Sequence, residues 1–117
     1  SRGLRIQIKK SYNQKIMADY FDSIGLAYKY ECPLQLAPYG AIYPDFTFLS
    51  KRTGREVYWE HEGMLDKPEY ARTAAQKMEL YEINGIYPGE NLILTFETST
   101  TVLNTELMKS MVNRYLM

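Results

Sequence analysis

The sequence is poor in the residues that build covalent cross-links and zinc centres. Its 117 residues include one cysteine, Cys32, and one histidine, His61. A single cysteine excludes an internal disulfide framework and a cysteine-rich zinc site, and a single histidine excludes a multi-histidine zinc centre. No apolar run approaches the roughly 18 residues that a membrane span requires. We therefore expect a cytoplasmic protein in a reducing compartment, with no membrane partner.

Net charge is also absent, but the zero total conceals an asymmetry along the chain. Residues 1–55 carry nine basic and four acidic side chains, whereas residues 56–117 carry five basic and ten acidic ones. A basic half could follow a phosphate backbone and an acidic half could collect metal ions, although two solvated faces would give the same counts. The candidate DNA-binding residues are basic side chains of the first half: Arg2, Arg5, Lys9, Lys10, Lys15, Lys51, Arg52 and Arg55.

Hydrophobic periodicity predicts a single α/β domain over residues 1–117, with elements in the order α-β-β-β-α-β-α. The first helix spans 11–24, with Ser11 as its N-cap and Gly25 as its stop. Before it, residues 1–10 alternate polar and apolar and predict a short strand or an extended arm. The other expected elements are strands at 27–31, 41–49, 56–61 and 92–96 and helices at 66–84 and 104–116.

Three carboxylates fall on two strands that we expect to pair. Glu60 and Glu62 lie two residues apart on one strand, so their side chains share a face. If Ser50 and Arg55 close the hairpin, the same register sets Asp45 opposite Glu60. Carboxylates in an apolar setting are unfavourable unless a cation neutralises them, and Mg²⁺ prefers such oxygen ligands. The alternative is three solvated acids on a sheet edge, which the flanking aromatic residues disfavour.

Three short segments contain the acidic residues and their aromatic neighbours. They are YKYECP at residues 28–33, YPDF at residues 43–46 and YWEHEG at residues 58–63. In the predicted element order they resemble the PD-(D/E)XK nuclease superfamily, in particular small nuclease domains found alone or attached to superfamily 1 DNA helicases. The resemblance covers roughly residues 11–97. It implies a restriction-endonuclease-like core, with a mixed central sheet flanked by helices, plus a C-terminal helix. It also implies Mg²⁺-dependent hydrolysis of DNA phosphodiester bonds, with Mn²⁺ as a second suitable ion.

The resemblance implies roles for individual residues. Asp45 and Glu60 become metal ligands, with the backbone carbonyl of His61 as the third. Glu62 stands where relatives carry the catalytic lysine, so it could act as a general base or an added metal ligand. Alternatively the lysine has moved to Lys77 on the second helix, which is otherwise an exposed helix residue. Gln14 stands where many relatives carry a helix glutamate that assists metal binding, and its amide adds no charge.

These departures leave a second function open, a catalytically weakened nucleic-acid-binding or docking module of the same fold within a larger DNA-processing protein. A protein-interaction domain is a third. The ring of His61 shares a strand face with Val57 and Trp59, which favours a packed, hydrogen-bonded histidine over a catalytic one. For partners we expect DNA, association with a helicase, and a homodimer whose interface the apolar residues Met108, Met111 and Val112 of the last helix could supply.

Overall fold

The structure is a computed structural model that describes residues 2–36, 38 and 40–117, with side chains from residue 13 onward. Within that part of the chain there are three helices, α1 (Arg2–Ser23), α2 (Pro68–Ile83) and α3 (Thr105–Tyr115). The strands are β1 (Lys29–Tyr30), β2 (Leu34–Gln35), β3 (Ala41–Ile42), β4 (Phe46–Leu49), β5 (Glu56–Glu62) and β6 (Leu92–Phe96). Among the described residues, no helix is both long enough and apolar enough to cross a membrane.

The larger sheet is mixed, with the strand order β1-β4-β5-β6. The β1–β4 and β4–β5 pairs are antiparallel, whereas β5 and β6 run parallel. A parallel pair needs a crossover connection, which α2 provides here. The predicted α/β class with a mixed sheet and flanking helices is therefore confirmed.

The expected strand at 41–49 is wrong as a single element. It divides into β3, which pairs only with β2 in a separate two-stranded sheet, and β4, which belongs to the larger sheet. Pro44 lies between them and has no backbone N–H to donate to a ladder, so a continuous strand is interrupted there. The predicted strand at 27–31 is likewise reduced to the two residues of β1.

The hairpin register agrees with the sequence prediction. Phe46 pairs with Trp59, and the backbone N–H of Ser50 donates to the carbonyl of Arg55 at 2.9 Å. Gly54 has a φ of +72°, a left-handed conformation that glycine adopts without strain. Because the register is fixed at this turn, the position before Phe46 lies opposite Glu60.

The first helix begins earlier than the sequence predicted. Its backbone is helical from Arg2, so residues 2–10 form neither an arm nor a strand, and Ser11 is not an N-cap. Helical hydrogen bonds are satisfied within the segment, whereas a strand would need a partner, and three alternating apolar residues are too few to impose one. The helix ends as expected, with Gly25 at a φ of +70° just beyond it.

The sheet has a hydrophobic core on each face. On one face, α1 and α3 pack against β4 and β5 through Phe21, Trp59, Met108 and Val112. On the other face, Tyr81 of α2 packs with Tyr58 and with residues of β6. Met108 is fully buried and Val112 is 2% exposed. The expectation that Met108 and Val112 supply a homodimer interface is therefore wrong, because the protein's own core uses them, whereas Met111 is only partly buried against that core. The homodimer itself stays a prediction.

Candidate functional site

The side chains of Asp45 and Glu60 come together at the end of the β4–β5 pairing. Both residues have no exposed surface. The backbone N–H of Asp45 donates to Glu60 Oε1 at 3.2 Å, and the backbone N–H of His61 donates to Asp45 Oδ2 at 2.8 Å. The two carboxylates therefore share one buried hydrogen-bond network.

The alternation of each strand puts these carboxylates on the α2 face. Phe46 and Trp59 enter the core beneath α1, so their neighbours Asp45 and Glu60 must point to the opposite side of the sheet. The favourable burial of Phe46 and Trp59 thus offsets the unfavourable burial of the two carboxylates on the other side of the sheet. A one-residue slip of the hairpin would reverse both.

Gln14 holds Asp45 from the first helix. Its Nε2 atom donates to Asp45 Oδ1 at 2.8 Å, and the hydroxyl of Tyr30 donates to its Oε1 atom. Gln14 lies three and seven residues before Met17 and Phe21, which are fully buried, so the same helix face carries all three inward. Gln14 therefore presents an oriented amide to Asp45.

Lys77 lies at the Glu60 carboxylate. Its Nζ atom is 2.7 Å from Glu60 Oε2 and 2.9 Å from Oε1, and it lies 3.5 Å from the carbonyl oxygen of Tyr43. The Lys77 side chain is 24% exposed, whereas that of Glu60 is fully buried. Lys77 is therefore not simply an exposed helix residue, because its ammonium group lies between Glu60 and the solvent.

Burial raises the pKa of Glu60 from 4.5 to about 7, and the charge of Asp45 adds to that rise. Lys77 lowers the pKa but does not cancel the other two effects. Desolvation disfavours the ionised form, and a second carboxylate nearby disfavours it further. The site therefore favours additional positive charge even with Lys77 in place.

Tyr81 of α2 also lies close to the carboxylates. Tyr81 is fully buried. This burial raises the pKa of its hydroxyl above the ordinary value, and the negative charges of Glu60 and Asp45 raise it further. Tyr81 lies four residues after Lys77 on α2, so the two side chains share a helix face. That spacing is the sequence signal that could have identified it.

Glu62 lies on the same strand face as Glu60 and is 6% exposed. Its charge also raises the pKa of Glu60, after the larger effects of burial and Asp45. Its backbone carbonyl accepts a hydrogen bond from the N–H of Glu97 at 2.7 Å. The structure thus keeps Glu62 near the pair, which leaves both roles predicted for it open.

The ring of His61 points away from the carboxylates. Its Nδ1 atom is 2.7 Å from Thr95 Oγ1, and its Nε2 atom is 2.8 Å from Glu97 Oε1. Trp59 Nε1 donates to the same Thr95 hydroxyl at 3.0 Å. The predicted packed, hydrogen-bonded histidine is what the structure contains, and its backbone N–H is the group that reaches Asp45.

The basic residues of the hairpin turn lie far from the carboxylates. Lys51, Arg52 and Arg55 lie at the β4–β5 turn, about 16 Å along the strand from Asp45 at roughly 3.3 Å per residue. Lys15 follows Gln14 and pairs with Asp19 at 3.3 Å. The remaining basic residues lie outside the described side chains: Arg2, Arg5, Lys9 and Lys10.

The described residues contain no group of three or more histidine, cysteine, aspartate or glutamate side chains arranged to hold a metal ion. Asp45 and Glu60 are two oxygen donors, and a peptide carbonyl is the additional donor that the resemblance implies. Mg²⁺ is commonly bound through one or two carboxylates while it retains several waters. The donor chemistry of the pair is compatible with that mode.

Comparison with known proteins identifies neither a family nor a fold. No protein-family model matches the chain, and no solved structure matches it. A segment of 77 residues, 65% of the chain, is 31% identical to a protein described as "Uncharacterized protein MJ1519" from Methanocaldococcus jannaschii. The match spans 6% of that relative's length. The chain is therefore similar to a small part of a much longer archaeal protein.

Proposed function

We propose that this chain is a metal-dependent nuclease that hydrolyses DNA phosphodiester bonds on a restriction-endonuclease-like core. The observation that carries the proposal is the meeting of Asp45 and Glu60, from neighbouring strands, in one fully buried hydrogen-bond network. Two like charges without solvent are unfavourable unless a cation neutralises them. An ion-binding role accounts for the presence of both.

A divalent cation fits this pair better than Lys77 alone. The pKa of Glu60 stays near 7 with the lysine 2.7 Å away, so one ammonium does not compensate for burial and for Asp45. In the proposal, Asp45 and Glu60 hold Mg²⁺ or Mn²⁺ together with the carbonyl of His61. Such an ion supplies an activated water and stabilises charge on the phosphate.

The surrounding residues orient these groups. The amide of Gln14 and the N–H of His61 fix the two oxygens of Asp45. Lys77 is partly exposed, so its ammonium can contact a phosphate while it remains beside Glu60. In this proposal Lys77 takes the charge-neutralising part of the lysine that Glu62 replaces, and Glu62 serves as a base or a further ligand.

A second candidate is a DNA-binding or docking module with weakened catalysis. It is favoured by the contacts that Gln14 and Lys77 make to the two carboxylates. The similarity to one segment of a longer protein is in keeping with a domain that operates within a larger DNA-processing protein, where a helicase is one partner we propose.

The test is cleavage of plasmid and single-stranded DNA by the purified chain in Mg²⁺, in Mn²⁺ and in EDTA. Glu60→Gln should lower the rate at least about a hundredfold, because the ion loses one of its two carboxylates. The matched control is Glu79→Gln, an exposed glutamate on α2, which should cleave like the wild type.

Cleavage that persists in EDTA, or that Glu60→Gln leaves unchanged, would reject the proposed site. Salt-dependent DNA binding without any cleavage would favour the second candidate. The absence of both binding and cleavage would reject both candidates and leave the protein-interaction domain.

A further inference from the structure

β6 lies at one edge of the larger sheet, with β5 on one side and no strand on the other among the described residues. Just beyond β6, the N–H of Glu97 donates to the carbonyl of Glu62 in β5 at 2.7 Å. Successive residues of a strand direct their backbone groups to opposite sides, so the odd-numbered residues of β6 face β5 as Glu97 does. The even-numbered residues, whose backbone groups face outward, are Leu92, Leu94 and Phe96.

Two of these outward residues have backbone groups that are open to another strand. The carbonyl of Leu92 accepts a hydrogen bond from the N–H of Gly89 at 3.1 Å, so the preceding turn covers the start of the edge. No residue that the structure describes makes such a contact to the N–H or C=O of Leu94 or Phe96. Unpaired groups at a sheet edge are a template for a further strand.

The opposite edge of the sheet is protected where β6 is not. β1 has two residues, one of them the charged Lys29, and the chain after it passes through Glu31, with a φ of +48°, to Pro33. Short length, charge and proline are features by which proteins keep edge strands from pairing with other chains. β6 has five residues, Leu92–Phe96, and contains neither a charge nor a proline. Of the two edges, β6 is therefore the one that can accept a further strand.

The side chains at this open edge are apolar. Phe96 is 46% exposed, and Leu94 lies on the same face, partly buried against the core to which Tyr81 of α2 belongs. An exposed aromatic ring beside unpaired backbone groups is a surface that another strand can cover. Because β6 carries no charged side chain, a second copy of β6 meets no electrostatic repulsion there.

The open edge is also complementary to itself. In an antiparallel pair, opposed residues whose backbone groups face each other exchange both hydrogen bonds. A twofold axis at Thr95 sets Leu94 opposite Phe96 of a second copy and Phe96 opposite its Leu94, so each open group meets a partner. An axis at Leu94 would instead bring in Leu92, whose carbonyl Gly89 already covers. The edge therefore favours a second copy of this chain, in one register.

We propose that the chain forms a twofold-symmetric dimer through β6, in which Leu94 and Phe96 of each copy pair with Phe96 and Leu94 of the other. The two larger sheets then become one continuous sheet. A twofold axis normal to the sheet keeps the α2 faces of both copies on the same side. The inference is independent of the proposed nuclease, because neither Asp45 nor Glu60 takes part in the pairing.

The test is sedimentation equilibrium of the full chain from micromolar to millimolar concentration. The mass should rise from 13.7 kDa towards twice that value. Phe96→Lys should weaken dimerisation at least about tenfold, because it places a charge at the pairing edge. The matched control is Leu49→Lys, since Leu49 is 68% exposed but lies at the end of β4, and this variant should dimerise like the wild type.

A second pair of variants tests the backbone contact itself. Phe96→Ala and Phe96→Pro both remove the ring, but only proline also removes the outward N–H. That N–H makes no bond to β5, so proline is compatible with the fold of the single copy at this position. Phe96→Pro should therefore dimerise more weakly than Phe96→Ala, by at least about tenfold.

Amide hydrogen exchange locates the interface. The N–H groups of Ile93 and Thr95 face β5 and should exchange slowly at every concentration, whereas those of Leu94 and Phe96 should become protected only where the dimer forms. A chain that stays monomeric at millimolar concentration would overturn the inference. So would a dimer in which the Leu94 and Phe96 amides exchange as fast as in the monomer, or equal weakening by Phe96→Lys and its control.

Discussion

Successive residues of β5 lie in two different electrostatic environments, one on each face of the sheet. His61 faces α1 and α3, where Thr95 and Glu97 take both nitrogens of its ring. Glu60 faces α2, where its pKa remains about 7 although Lys77 lies 2.7 Å away. The first environment is a completed polar network of the kind that stabilises a fold. The second retains an unfavourable charge that a ligand can relieve, which is typical of functional sites.

The sharpest test of the α1 face is His61→Ala. It leaves the backbone N–H that holds Asp45 intact but removes one partner of the Glu97 carboxylate, which keeps the hydrogen bond from the backbone N–H of Leu103. The free energy of unfolding should fall by about 3 kcal/mol, since a buried ring and its hydrogen bonds to Thr95 and Glu97 are lost. Urea denaturation at neutral pH measures it. Glu97→Gln can keep a hydrogen bond and should cost less; a loss below about 1 kcal/mol for His61→Ala would contradict the stabilising role.

The raised pKa of Glu60 on the α2 face should make the stability of the fold depend on pH. The folded state raises the pKa of Glu60 from 4.5 to about 7, so between these values the folded chain binds the proton and the unfolded chain does not. Stability is therefore greatest below pH 4.5 for this group and falls as pH rises through 7, by roughly 3 kcal/mol in total. Urea denaturation in EDTA at several pH values measures the fall.

Glu60→Gln is the comparison for that measurement, because it has no proton to release. The difference in stability between wild type and variant should change with pH between 4.5 and about 7 and level off outside that window. A difference that stays constant with pH would mean that Glu60 is ionised throughout and that the two faces do not differ as described.

Lys77→Met separates the lysine's charge from its packing. Methionine keeps an apolar stem but removes the ammonium that lies 2.7 Å from Glu60. Under the proposed activity, cleavage should fall about a hundredfold, since a positive group at the phosphate is lost. Arg72→Met, at an exposed position of the same helix, is the control. Equal cleavage rates for the two variants would mean that Lys77 has no role in cleavage.

Arg52→Ala tests the β4–β5 turn, which lies at the end of the sheet opposite to the carboxylates. Arg52 Nη1 donates to the carbonyl of Arg114 at 2.6 Å, near the C-terminal end of α3. Its loss should lower the free energy of unfolding by about 1 kcal/mol and leave cleavage unchanged, because this turn is distant from the carboxylates. Lys51→Ala is the control for charge. A marked loss of DNA affinity in Arg52→Ala would place the turn on the DNA path.

Local signals predicted the centre of the site. A turn between Ser50 and Arg55, together with strict alternation on both sides of it, fixes the hairpin register and therefore the pairing of Asp45 with Glu60. The position of Lys77 followed from packing α2 on the same sheet. These features depend on neighbours in sequence or on one helix face, which is why the sequence carries them.

The features that were missed depend on distant partners. A run of three alternating apolar residues before Ser11 fits a strand as well as a helix, and the absence of a pairing partner decides for the helix. Residues 41–49 have the composition of one strand, but Pro44 separates them into β3 and β4. The bond from Tyr30 to Gln14 joins two elements that no local pattern relates.

The parallel pairing of β5 and β6 has a consequence for how the chain acquires its native structure. The β4–β5 hairpin closes a loop of six residues, whereas β6 can join β5 only after the crossover through α2 is complete. Short loops close before long ones, so the two acidic residues assemble earlier than the lysine that lies on the crossover. We expect folding to be faster in mildly acidic solution, where protonation removes the repulsion that this order of assembly creates.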